Sequence, residues 1–166
     1  MKSWNRKSVA IRPATLHDLQ PVLQLFQSTV MRINARDYAA DQIKTWAAST
    51  QFPKNWARRI REQHFIIAEQ QDQLLGFASL TKEGYLDLMY VHQDHQGQGI
   101  ATLLLEVIEN TAIELGLTQI NSDVSITARP FFEKRGYAVL REQQVEVRGA
   151  VFTNYHMTKS LAGWCF

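Results

Sequence analysis

The chain has 166 residues, 45% hydrophobic and 20% charged, an ordinary globular make-up with enough apolar material for one full core. Its formal net charge of +2 is too small to argue for nucleic acid, and the densest basic cluster (Arg58, Arg59, Arg61) reads as a solvated helix face. The single Cys165 excludes an internal disulfide framework and reads as a passenger thiol, so a reducing, cytoplasmic setting is the expectation.

The first eight residues lead into no apolar segment of the kind a signal peptide needs, and nowhere do eighteen apolar residues run together to span a membrane. Residues 9–12, followed by Pro13, read as a first short strand. Leu16, Leu19, Val22, Leu23, Phe26 and Val30 then recur at helical spacing, with Thr15 as N-cap and Asp18 in the first turn. Pro21 lies inside that pattern and demands a kink or a late start. Two more helices are predicted over residues 41–48 and, after Pro53, 55–63. Residues 65–69 and 74–80 form a hairpin, and a strand over 85–91 directly after Gly84 completes a three-stranded antiparallel meander. Next comes a strongly periodic helix from residue 100, carried by Ile100, Leu103, Leu104, Val107, Ile108 and Ala112 and capped at Gly116. A strand over 119–124, a short helix over 125–136 and two strands over 138–148 and 150–158, hinged at Gly149, close the chain. Nothing resembling a repeat or linker interrupts the series, so one α+β domain over residues 1–166 is expected.

The turn between the strand at 85–91 and the helix at 100 carries the chemistry. A glycine-bearing turn running into a helix N-terminus gathers free backbone N–H groups and the positive end of the helix dipole on one anion. Gly97 and Gly99 let the backbone approach a pyrophosphate with no Cβ in the way. Two familiar phosphate loops are excluded. Ile100 and Ala101 stand where a P-loop needs Lys-Ser/Thr; the dinucleotide fingerprint lacks its third glycine, and the following strand carries its acid, Asp123, in an unconvincing place. What remains, Gln96-x-x-Gly99-x-Ala101, resembles the pyrophosphate loop of the GCN5-related N-acetyltransferases (GNAT): Gln or Arg, two residues, Gly, one residue, then Gly or Ala. A second element agrees. Ser125, Ala128, Phe131, Phe132, Gly136 and Tyr137 fall on the places of that family's second cofactor-side helix, and the resemblance is close from about residue 64 to residue 159.

The resemblance implies a GNAT-type fold, with a central, mostly antiparallel twisted sheet of six or seven strands flanked by helices. It implies acetyl-CoA as cosubstrate and transfer of its acetyl group to a primary amine of a small molecule or peptide, by direct attack in a ternary complex. No metal is implied, and neither nucleic acid nor membrane is an expected partner; a homodimer stays open. Met89 and Val91 would line the acyl and pantetheine arm through main-chain groups. Gln96, Gly97, Gln98, Gly99, Ile100 and Ala101 would hold the pyrophosphate, with Ser125, Phe131 and Phe132 beside the cofactor.

Acetyl transfer requires the amine to lose a proton, the oxyanion to meet a donor, and the thiolate to leave. Strand alternation puts Asp87 on the face of Met89 and Val91, where a carboxylate could act as general base or simply bind a cationic substrate. His92 and His95 beside the loop read as incidental, and His156 as structural. Many family members carry a tyrosine where this chain has Phe132, which has no proton to give. Tyr90, Tyr137 or Tyr155 would have to stand in, or the thiolate leaves unaided, as a thiol of pKa about 8.5 can near neutral pH. Asp37, Tyr38, Asp41, Trp46 and Trp56 lie where an acceptor pocket is expected, although core packing and helix caps explain each of them singly. The alternative reading, prompted by Phe132, is a non-catalytic acyl-CoA sensor of the same fold. Acetylation of charged tRNA would want a basic cleft, which the composition does not suggest.

Overall fold

Among the described residues, seven strands fall into two antiparallel sheets that touch along one short seam. The computed structural model describes residues 8–161; Cys165 and the residues before Ser8 lie outside the described residues. The first sheet runs in the order β1 (Ala10–Pro13), β2 (His64–Gln70), β3 (Gln73–Leu80), β4 (Leu86–Val91). The second has β7 (Ala150–Ser160) at its centre, between β5 (Gln119–Ser125) and β6 (Ala138–Val147). All pairings within the sheets are antiparallel. Both long hairpins turn on two residues of positive φ, Gln71 and Asp72 for β2–β3 and Arg148 and Gly149 for β6–β7, the backbone twist that matches paired strands.

The seam is parallel. Tyr85 bridges Asn121, the Asn121 amide donates to the Gly84 carbonyl at 3.0 Å, and the buried Ser122 hydroxyl donates to the Leu86 carbonyl at 2.8 Å. Gly84 makes this approach possible: its φ is +94°, and a Cβ there would sit 2.9 Å from the Gln119 carbonyl oxygen. Beyond Leu86 the two strands separate. The expected sheet is thus present as two halves hinged at one point.

Thr15 caps a single 3-10 turn, Leu16–Asp18, and the α-helix proper, α1 (Leu19–Arg32), starts only at Leu19. This is the late start that Pro21 demanded; in the first turn its missing N–H has no intrahelical partner to lose. α2 (Ala40–Ala47) and α3 (Pro53–Glu62) follow. These three helices cover one face of the first sheet, burying Val22, Phe26, Trp56, Phe77 and Leu88 between them. α4 (Ile100–Glu114) covers the other face, where Leu75, Leu104, Ile108, Ile120 and Met157 have no exposed surface. Each such side chain contributes about 1.5–3 kcal/mol by leaving water. α4 ends as its glycine suggests: the Leu117 amide bonds the Ala112 carbonyl at 3.0 Å and the Gly116 amide the Ile113 carbonyl at 2.9 Å. α5 (Arg129–Lys134) is shorter than the helix read from the sequence, because Ser125 ends β5 and residues 126–128 form a turn. The Ser125 hydroxyl still caps that turn, accepting from the Ala128 amide at 3.1 Å. No helix among the described residues is long and apolar enough to cross a membrane.

Candidate active site

Where β4 leaves β5, a cavity of about 420 Å³ opens, floored by α4 and flanked by α5. Of the residues expected beside a cofactor, Met89, Val91, Gln96, Gly97, Gly99, Ile100, Ala101, Ser125, Phe131 and Phe132 all line it. Gln98 is not among the lining residues; its side-chain carbonyl pairs with His95 Nδ1 at 3.1 Å.

The loop has the backbone an anion needs. Gly97 and Gly99 have φ of +70° and +83°, a region costly for other residues, and Gly99 is the N-cap of α4. The Leu103 amide bonds the Gly99 carbonyl at 3.1 Å, so the amides of Ile100, Ala101 and Thr102 emerge unpaired by the helix at its positive end. Gln96 acts differently from a phosphate ligand. Its amide nitrogen donates to the Val91 carbonyl at 2.7 Å, an oxygen that also accepts from Thr29 Oγ1 at 3.0 Å, so the side chain ties the loop to the end of β4. The His92 imidazole is held below its ordinary pKa by burial and then by His95, whose ring lies 5.2 Å away. Arg135, which the sequence reading passed over, also lines the cavity. Its guanidinium rests 4.3 Å from the Phe131 ring centre and bonds Thr102 at the start of α4, placing a cation beside the free amides.

A second cavity, of about 410 Å³, lies between the helical layer and the second sheet. Tyr38, Trp46 and Trp56 line it as expected, whereas Asp37 and Asp41 are exposed outside it. Trp46, Asp87, Tyr90, Asp123 and Ser125 line both cavities, so the two meet at the edge β4 presents as it parts from β5.

Asp87 stands at this junction, but not on the face its spacing implied. Ser79 pairs with Leu88 and Leu80 with Leu86, which leaves Asp87 as the extra residue of a β-bulge and breaks the alternation. Its carboxylate turns toward α3, where Oδ2 accepts from Arg59 Nε at 2.9 Å and Gln63 Nε2 at 3.0 Å. Oδ1 accepts no hydrogen bond from the described residues.

The three candidate hydroxyls separate cleanly. Tyr137 is buried, and its hydroxyl donates to Glu109 at 3.0 Å, away from the junction. Tyr155 lines neither cavity and instead carries the Arg129 guanidinium 4.4 Å from its ring centre. Tyr90 alone of the three borders both cavities. Burial pushes its ionisation well above the ordinary phenol range, the nearby Trp46 side chain offsets part of this, and the charge of Asp87 adds to it. Phe132 lines the cofactor cavity, edge-on to Phe131 and Tyr137 at 5.3 and 5.1 Å.

Asp123 is the residue that sequence reasoning missed. Its Oδ2 accepts from the Tyr85 hydroxyl at 2.8 Å, while Oδ1 accepts from Gln143 Nε2 at 2.8 Å and pairs with His156 Nδ1 at 2.8 Å. Burial works against its charge, but the bonds from His156, Tyr85 and Gln143 outweigh it and hold the carboxyl below the usual range.

The chain is similar to known acetyltransferases over most of its length. The model of the acetyltransferase (GNAT) domain matches residues 34–159. The uncharacterized N-acetyltransferase YafP of Escherichia coli (strain K12) is 31% identical over 150 residues, 90% of this chain and 95% of that protein. A GCN5-related N-acetyltransferase from Rhodopseudomonas palustris superposes with a TM-score of 0.90 at 32% identity, covering 93% of this chain and 96% of the other. PaiA N-acetyltransferase from Thermoplasma acidophilum, solved in complex with coenzyme A, has a TM-score of 0.77 at 18% identity, over 92% and 99% of the two chains, a likeness of fold.

Proposed function

The chain belongs to the GNAT family of acetyl-CoA-dependent acyltransferases, and we propose that it acetylates a primary amine of a small molecule or peptide by direct attack in a ternary complex. One observation carries this reading: the cavity at the phosphate loop and a second cavity meet at a junction bearing two carboxylates and the half-buried Tyr90 phenol.

The pantetheine arm would lie along the edge of β4 that β5 leaves unpaired, against main-chain groups of Met89 and Val91, with the pyrophosphate on the amides at the start of α4. The amine would enter through the second cavity. Asp87, with Oδ2 fixed by Arg59 and Gln63, takes the ammonium proton on Oδ1, directly or through a water. The nitrogen lone pair then forms the bond to the thioester carbon. The oxyanion is met by main-chain N–H on β4, and as the tetrahedral centre collapses the C–S bond breaks. Tyr90, kept protonated by its burial, gives its proton to the departing sulfur. The second proton leaving the nitrogen as the amide forms restores the phenol through solvent, while Asp87 releases its proton to bulk water. Phe132 supplies packing beside that sulfur and no proton.

The test is release of free thiol from acetyl-CoA by the purified chain, offered a panel of simple amines, polyamines and lysine peptides. Amine-dependent release is expected. Saturable coenzyme A binding with no release across the panel would replace this reading with that of a sensor.

A further inference from the structure

The second cavity is charged and shaped more narrowly than an unspecified amine requires. At the junction the charge of Asp87 is already answered by Arg59 at 2.9 Å. Asp123 differs: two of its three donors, Tyr85 and Gln143, are neutral, so at most one imidazole offsets its charge. A cation is what this end lacks. From Trp46 at the junction outward the walls are aromatic, with Tyr38, Trp46 and Phe152 packed on one another at ring-centre distances of 5.3–6.0 Å and Trp56 also in the lining. The remaining charged lining group is a further cation, Arg148.

The rim of the cavity is tied by three hydrogen bonds. The Tyr38 hydroxyl donates to the Thr153 carbonyl at 2.7 Å, Gln42 Nε2 to the Val151 carbonyl at 2.7 Å, and Arg148 Nη2 to the Thr45 carbonyl at 2.6 Å. These three bonds strap the β6–β7 hairpin to α2 and to Tyr38 just before it. The cavity's 410 Å³ falls in the range of about 300–1,000 Å³ that encloses small organic ligands.

We propose that the acceptor is a small monoamine with an aromatic or bulky apolar body, its ammonium held by Asp123 at the junction and its body by the rings of the second cavity. This rests on the acetyltransferase reading above. A polyamine would bring a second ammonium toward Arg148. A short alkylamine would leave the rings unfilled. Aromatic walls also attract the cationic end of the ligand through their faces.

The experiment compares 2-phenylethylamine and tryptamine with propylamine, spermidine and a lysine peptide, by kcat/KM and by calorimetric binding without acetyl-CoA. The aromatic amines should exceed the others at least tenfold in both. Asp123→Asn should raise the KM for 2-phenylethylamine at least tenfold and leave that for acetyl-CoA unchanged. Phe152→Leu, which keeps the apolar volume and removes the ring, should weaken the aromatic amines more than propylamine, which keeps the test open should Asp123→Asn fold poorly. Preference for spermidine or the peptide, or an Asp123→Asn enzyme with normal amine KM, would overturn the proposal while leaving acetyl transfer standing. Binding of 2-phenylethylamine that depends on Asp123, with no thiol release from any amine, would keep this inference and remove the reaction instead.

Discussion

Replacing Gly99 with aspartate perturbs the phosphate loop in two ways that a second variant can separate. Gly99 caps α4 at φ +83° and ψ 8°. An L-residue forced into that region costs about 1–2 kcal/mol, with aspartate among the residues that tolerate it best. Aspartate gains little as a cap here, because capping side chains act from an extended backbone. A loss of about 1 kcal/mol lowers the melting temperature of a chain this size by about 2–4 °C, so the variant should stay folded. The charge matters more. A carboxylate about 4 Å from a phosphate charge repels it by about 1 kcal/mol in bulk water and about 4 kcal/mol at a protein surface. Coenzyme A affinity should therefore fall by roughly fivefold to a thousandfold. Gly99→Ala carries at least as much strain without the charge and should shift the melting temperature while keeping most of the affinity. Calorimetric titration with coenzyme A at low and high salt reads both effects, and the Asp-specific loss should shrink as salt screens it. A folded Gly99→Asp variant with unchanged affinity would refute the assignment of the loop, and equal losses in the two variants would refute the electrostatic part.

Asp87→Asn keeps the shape of the side chain and removes its proton-accepting charge; turnover should fall by about 10²–10⁴ with amine KM little changed, whereas a raised KM at full turnover would reassign Asp87 to binding. Tyr90→Phe should slow turnover at least tenfold without altering coenzyme A affinity, while Tyr155→Phe stays silent; a faster Phe132→Tyr enzyme would instead show thiolate departure starved of a proton. Away from the site, Arg12 grips Asp18 through two guanidinium nitrogens at 2.9–3.0 Å and holds its carboxyl below the ordinary value. The folded pKa lies under the unfolded one, so this stabilisation is present above about pH 4 and is lost as pH falls through the folded value. Arg12→Gln should accordingly lower the urea midpoint at pH 7 and much less at pH 3; an equal loss at both would show that the pair contributes by packing alone.

Periodicity and capping chemistry are local, and what depends on them was legible: the Thr15 cap, the glycine stop of α4 and the antiparallel β2–β3–β4 meander. Features that depend on a partner distant in sequence were not. The bulge at Asp87 arises from the mismatch between β3 and β4, so no reading of β4 alone could have turned that carboxylate toward Arg59. Asp123 draws its three donors from positions 85, 143 and 156, on separate parts of the chain, and in sequence it is one acid in an alternating strand. Gln96 fits the loop pattern, but its hold on the Val91 carbonyl follows from how the loop folds back on β4. Tyr90 separates from Tyr137 and Tyr155 only through burial and direction, which residue identity does not encode.

The central claim, that acetyl passes directly from acetyl-CoA to an amine where the two cavities meet, is tested most directly by initial-rate kinetics with both substrates varied. Acetylated amine should be quantified by mass spectrometry alongside free thiol. Intersecting double-reciprocal lines, with one acetylated amine formed per thiol released, are the predicted result. Parallel lines, or thiol released without acetylated amine, would contradict it.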